Sequence, residues 1–176
     1  DLQIAVIDSR NSAAGLGIMV CEAARLKNEG LGFEAVVQRV EAMSMQVFQI
    51  FTVGSLDHLF KSGRISPEFS GYMSLLLDFK PILGLRHGKG HIELLGRAEN
   101  TQAAFDKLYE FFLRFMEGKA DPKLIAPVYN GLLPQAQALA DHLRELYPVS
   151  HLLMAEGHPV LGVHLGPQAV GLAVLP

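Results

Sequence analysis

Three short stretches carry the residue types that can do chemistry. Asp8, Ser9 and Ser12 sit where an apolar run gives way to a helical pattern. Hydroxyls and free N–H groups at a helix N-terminus suit an anion or carboxylate, and they equally suit capping of the helix itself. Ser62-Gly63-Arg64-Ile65-Ser66 puts one arginine on a tight turn between two hydroxyl residues. A guanidinium held by backbone geometry pairs bidentately with a carboxylate or phosphate. The same Arg64 can instead bridge to Asp57 or Glu68 at the surface. His164, followed by Gly166-Pro167, reads as the end of a strand. A histidine there donates to an anion, acts as an acid or base, or is structural.

These groups do not assemble a nucleophile with its base. The chain has no Gly-x-Ser-x-Gly elbow, no phosphate-binding glycine loop ending in Lys-Ser or Lys-Thr, and no His-x-x-x-His or His-Glu-x-x-His motif. His151 and His158 are oddly spaced for a metal pair, and His58, His87, His91 and His142 read as surface or hairpin residues. Gly15-Leu16-Gly17 lacks the third glycine of a dinucleotide fingerprint. Cys21 is the only cysteine, which excludes an intrachain disulfide and a thiolate cluster. In the run Ile18-Met19-Val20-Cys21 it reads as a buried thiol, and its redox signal fits a reducing cytoplasm. No cofactor and no metal is expected.

The elements that must position these residues follow from periodicity. Residues 2–8 read as a strand, followed by a helix over 16–27 that Gly30 stops. A second helix spans 32–45, with Val36, Val37 and Val40 inward, and 47–53 is β-rich. Leu56 to Lys61 makes a short helix, and Ser66-Pro67-Glu68 starts another that runs to Leu77. Strands at 81–86 and 91–98 flank the hairpin loop His87-Gly88-Lys89-Gly90. Thr101 to Met116 is the clearest helix, from Phe105, Leu108, Phe112 and Phe115. A strand at 124–129 and a helix at 134–146 carrying Leu139 and Leu143 follow. Three strands close the chain at 150–155, 160–164 and 170–175. Interleaved strands and helices predict an α/β or α+β fold. It reads as the remnant of an α/β domain over 1–46, followed by a mixed-sheet domain with helices packed on it over 47–176. A unit with a single strand needs partner strands from elsewhere. The start on Asp1, already inside a strand pattern and without a signal peptide, suggests a chain that begins within a protein.

Composition narrows the function classes. The chain has 176 residues, 49% hydrophobic and only 19% charged, which excludes intrinsic disorder. A domain of this size buries roughly 70% of its unfolded surface, so a core forms without disulfides. A net charge of −3 without a basic block argues against nucleic acid as the main partner. No window approaches an uninterrupted membrane span. The apolar surplus includes 10 Phe and 6 Met, and the run from Met73 to Phe79 around Asp78 is wider than one helix face needs. These side chains serve either an ordinary core or the wall of an apolar pocket.

The pieces also occur in a familiar order. Val6-Ile7-Asp8-Ser9, then Ser12 and Gly15-Leu16-Gly17, resembles the mid-region of the DegV family. Phe51-Thr52-Val53-Gly54-Ser55-Leu56-Asp57-His58-Leu59, then Gly63-Arg64-Ile65-Ser66, resembles its most characteristic motif. Lys80-Pro81-Ile82-Leu83, the glycine hairpin, Arg97, His164-Leu165-Gly166-Pro167 and Gly171-Leu172 follow in family order. The resemblance implies a two-domain, non-catalytic fatty-acid-binding protein. It would hold a long acyl chain in an apolar tunnel and present the carboxylate to a partner such as a fatty acid kinase. It implies that Arg64 and His164 belong to the network around the carboxylate. Gln168 stands where the family has glycine after Gly-Pro, and the family's leading α/β portion, which supplies further hydroxyls, precedes the stretch matched here.

Two rival readings remain at this level. One is a small-molecule enzyme, hydrolase or transferase, with His164 as acid or base and Arg64 as anion clamp. The other is an interaction module with an exposed apolar face. A fatty acid carried by the protein separates the first reading from both.

Overall fold

A computed structural model describes residues 2–65, 79–85 and 91–176. The helix expected over 66–77, most of the apolar run from Met73, and the 87–90 hairpin lie outside the described residues. The described elements run α1 (Ala13–Asn28), α2 (Phe33–Met43), β1 (Phe48–Val53), α3 (Asp57–Lys61), β2 (Lys80–Leu85), β3 (Ile92–Ala98), α4 (Thr101–Met116), β4 (Leu124–Asn130), α5 (Leu133–Leu146), β5 (Ala155–Glu156), α6 (Pro159–Leu165) and β6 (Ala169–Leu175). The six described strands form one mixed sheet in the order β3-β2-β1-β6-β4-β5. Only the β4–β5 pair among them is parallel.

The alternation of side chains in each strand decides what covers each face. Ile50 of β1, Ile82 of β2, Ile125 of β4 and Val170, Leu172 and Val174 of β6 pack under α4 and α5. The seam of α4 is Ala104, Leu108, Phe112 and Met116, one residue per turn, all buried. Its N-cap Asn100 accepts the Ala103 N–H at 2.9 Å. On the other face, Ala126 and Val128 of β4 and Ala173 and Leu175 of β6 meet Ala14, Ile18, Met19 and Leu26 of α1. Beside them, Phe51, Val53, Leu83 and Ala169 meet Leu56, Leu59 and Leu165 from α3 and α6 and their flanks. The first face presents Val and Leu from β6, while the second presents Ala169, Gly171 and Ala173. The second face therefore has room.

Three expectations are corrected. Residues 2–8 form no strand, and Ile4 and Val6 are 75% and 95% exposed. A strand needs a backbone partner, and none of the described strands pairs with this segment. Residues 160–164 are helical within α6, because Pro159 occupies the first helical turn and the His158 imidazole caps it, Nδ1 accepting the Val160 N–H at 3.3 Å. Residues 150–155 break into a 3-10 turn at Val149–His151 and the two-residue β5 rather than one strand.

Candidate functional site

The room on the second face is a cavity of about 710 Å³, within the range of small-molecule sites. Its floor is Phe51 of β1 with Ala126 and Val128 of β4. One wall is the flank of α1, where Ala14, Gly17, Ile18 and Cys21 recur at helical spacing. The opposite wall is Leu59, Leu161 and Leu165. Small side chains on α1 facing a small side chain on β4 leave the volume open. A Cβ on Gly17 would meet nothing within 4 Å. Gly15, next to Ala14 but not itself in the cavity wall, is favoured by closeness instead: its N–H donates to Gln49 Oε1 at 3.2 Å, and a Cβ there would lie 2.5 Å from that oxygen. Cys21 lines this cavity and is exposed, which corrects the expectation of a buried thiol.

Ser12, Arg64 and His164, far apart in sequence, all line this one cavity. Ser12 precedes α1 in an extended conformation, and its hydroxyl makes no bond to the helix. Ser9 stands apart: its hydroxyl donates to Asn11 O at 3.1 Å in a local turn, and it is not part of the cavity wall.

Arg64 is positioned by the end of α3. Gly63, at φ 68°, donates its N–H to Phe60 O, and the Arg64 N–H reaches back to Leu59 O at 2.9 Å. This is the paired bonding of a Schellman cap, and its left-handed residue favours glycine. The side chain donates to Ser62 O at 2.8 Å from Nη1 and has no carboxylate partner among the described residues, so Asp57 is not bridged. Glu68 lies outside the described residues.

His164 sits in the last turn of α6. Its Nδ1 is buried without a hydrogen-bond partner among the described residues, a state that buried ring nitrogens rarely keep unless something else fills the gap. Gly166, at φ 78°, ends the helix by donating to Gly162 O at 2.8 Å. A Cβ there would lie 2.8 Å from the His58 ring, so the α3 and α6 ends close over one another. Glu156 and His158 share the rim. The sequence pattern does not single out Glu156 and weighs His158 only as a metal ligand, because only the β5–α6 turn brings the two to the cavity. Among the described residues, no group of three or more His, Cys, Asp or Glu is placed to hold a metal ion. No described helix is long and apolar enough to cross a membrane.

Away from the cavity, Glu22 of α1 is buried and takes two bonds from Arg25, at 2.6 and 2.7 Å. Those bonds hold its carboxyl below the ordinary glutamate value against the opposing effect of burial, with the charges of Arg25 and Lys123 adding to the same direction. Burial pushes the Tyr147 hydroxyl up.

An α/β sheet with an apolar cavity on one face, lined also by a hydroxyl, a guanidinium and an imidazole, has the make-up of a small-molecule binding site. Comparison makes this specific. The family model described as "Uncharacterised protein, DegV family" matches residues 1–176, and the chain belongs to the DegV family. A DegV domain-containing protein of Clostridium perfringens is 30% identical over 167 residues, covering 94% of this chain and 56% of that protein. A fatty-acid-binding DegV family protein from Thermus thermophilus is 30% identical with a TM-score of 0.85, covering 97% of this chain and 60% of that one. The Streptococcus pneumoniae fatty acid kinase B3 protein, solved loaded with linoleic acid, shares the fold at 21% identity and a TM-score of 0.85, over 98% of this chain and 60% of that one. The chain thus spans little more than half the length of the relatives it matches.

Proposed function

We propose that this chain is the acyl-holding part of a non-catalytic fatty-acid-binding protein that presents the carboxylate to a partner such as a fatty acid kinase. The observation that carries the reading is the placement of Arg64, His164 and Ser12 on the rim of the same apolar cavity of about 710 Å³. The acyl chain lies along Phe51, Val128, Ile18 and Leu161, and the carboxylate stays at the rim. A sixteen-carbon chain has about fifteen CH₂ and CH₃ groups at roughly 0.8 kcal/mol each, a gross gain of about 12 kcal/mol before ordering costs. An unpaired buried carboxylate would cancel several kcal/mol of that. The Arg64 guanidinium, which among the described residues bonds only to Ser62 O, and the His164 Nδ1, without a partner among them, offset this cost. On this reading residues 47–176 hold the chain together with α1 from residues 1–46, Ser9 serves its turn, and the protein works in the cytoplasm, where acyl donors and kinases meet.

The test is native mass spectrometry of the purified chain, with lipid extraction. A bound species that dissociates as a long-chain fatty acid near one equivalent is expected. Protein that carries none and takes none up on titration would refute the reading and favour the small-molecule enzyme.

A further inference from the structure

A second cavity lies on the opposite face of the sheet, at the end where β1 leaves it. It measures about 270 Å³ and its wall includes Thr52, Gly54, Lys80, Thr101, Leu132, Gln135 and Gln168. Two helices start at it. Thr101 is the first residue of the sixteen-residue α4, and Leu132 is the N-cap of the fourteen-residue α5. The positive dipole ends of both helices therefore border the same space, although Asn100 already takes the Ala103 N–H of α4 and Pro134 leaves one position of the first turn of α5 without an N–H. α5 has no side-chain cap.

The remaining wall fits the same charge. Lys80 is half-buried, its Nζ donates to Gly54 O at 3.1 Å, and among the described residues no carboxylate lines the cavity. Thr52 is 4% exposed, and its hydroxyl has no hydrogen-bond partner among the described residues. The Gln135 amide oxygen is likewise buried and unpartnered. Buried polar atoms are seldom left so. We propose that this cavity binds a small oxyanion of phosphate size. Hydrogen phosphate suits it, because its charged oxygens accept from Lys80, Thr52 and the helix N-termini while its own hydroxyl donates to Gln135. Sulfate lacks that donor at neutral pH.

The position gives the anion a consequence. The Gly54 N–H donates to Gln168 O at 2.6 Å, joining the strand end that leads to Arg64 with the turn that follows His164. An ion held here ties together the two segments that carry the rim of the apolar cavity. The site stands whether or not that cavity holds an acyl chain.

Isothermal titration of the full chain with inorganic phosphate, at constant ionic strength held with chloride, tests it. Saturable binding of one equivalent is expected, with sulfate weaker. Lys80→Gln keeps a hydrogen bond to Gly54 O and removes the charge; Thr52→Val removes the hydroxyl at constant shape. Each is expected to weaken phosphate by about tenfold or more, with the helical circular dichroism unchanged. Should Lys80→Gln not fold, the isosteric Thr52→Val decides. Absence of saturable phosphate binding, or affinity unchanged in the folded variants, overturns the proposal and leaves the cavity to water.

Discussion

At the scale of single residues, Arg64 separates binding from stability. It is exposed and among the described residues its side chain bonds only to its own turn, so Arg64→Ala is expected to leave the melting temperature nearly unchanged. Loss of a charge-assisted bond to the carboxylate should weaken fatty-acid affinity by about ten- to a hundredfold. Titration with a labelled fatty acid checks it, and equal affinity would remove Arg64 from the site. Gly17 makes the converse case. Nothing lies within 4 Å of a Cβ there, so Gly17→Ala should stabilise α1 by about 0.5–1 kcal/mol. Gly17→Leu fills the cavity wall and should lower acyl affinity, as thermal melts and the same titration would show. Arg64 was legible in sequence because Gly63 announces a turn that aims it. The unpartnered nitrogen of His164 was not, because whether a ring nitrogen finds a partner depends on what packs around it.

At the scale of elements, the Schellman cap of α3 is the device that holds Arg64. Gly63→Val imposes a β-branched side chain at φ 68°, and strain of about 1–3 kcal/mol there should both destabilise the turn and weaken fatty-acid binding. A loss of stability with unchanged binding would detach the cap from the site. α1 carries a pH-dependent contact. Because the folded Glu22 carboxyl titrates below its unfolded value, its contribution is complete above the unfolded value and disappears as pH falls through the folded one. Glu22→Gln should therefore flatten the acid limb of the stability profile in chemical denaturation. The helix α4 was legible because its apolar stripe repeats at 3.6 residues over sixteen positions. α6 was not: Val160-Leu161-Gly162-Val163 has strand-like composition within a helix of seven residues, and only its capping by His158 and Pro159 tips the balance. Residues 2–8 were misplaced for a different reason: their apolar run is real, but their backbone finds no neighbour among the described strands.

At the scale of the whole molecule, the apolar surplus divides between a two-faced core and a cavity. Composition announced the surplus, but the cavity arises where Gly17 of α1 faces Ala126 of β4, residues 109 positions apart. No local pattern records such a gap. The exposed Leu2, Ile4 and Val6, with Leu16 and Val20 on the outer side of α1, predict concentration-dependent self-association of this chain. Sedimentation velocity should show it reduced by Val6→Lys, and a monomer at every concentration would contradict it. The central claim is that the acyl chain occupies the cavity beside α1, and Cys21 reports on it directly. It is the only thiol in the chain, it is exposed, and it lines that cavity. The decisive measurement is the rate of Cys21 alkylation with and without a saturating long-chain fatty acid. Occupancy should slow the reaction severalfold, while a short-chain acid that cannot fill the cavity leaves it unchanged. A fatty acid that binds by titration yet leaves the alkylation rate of Cys21 untouched would place the acyl chain elsewhere and contradict the assignment.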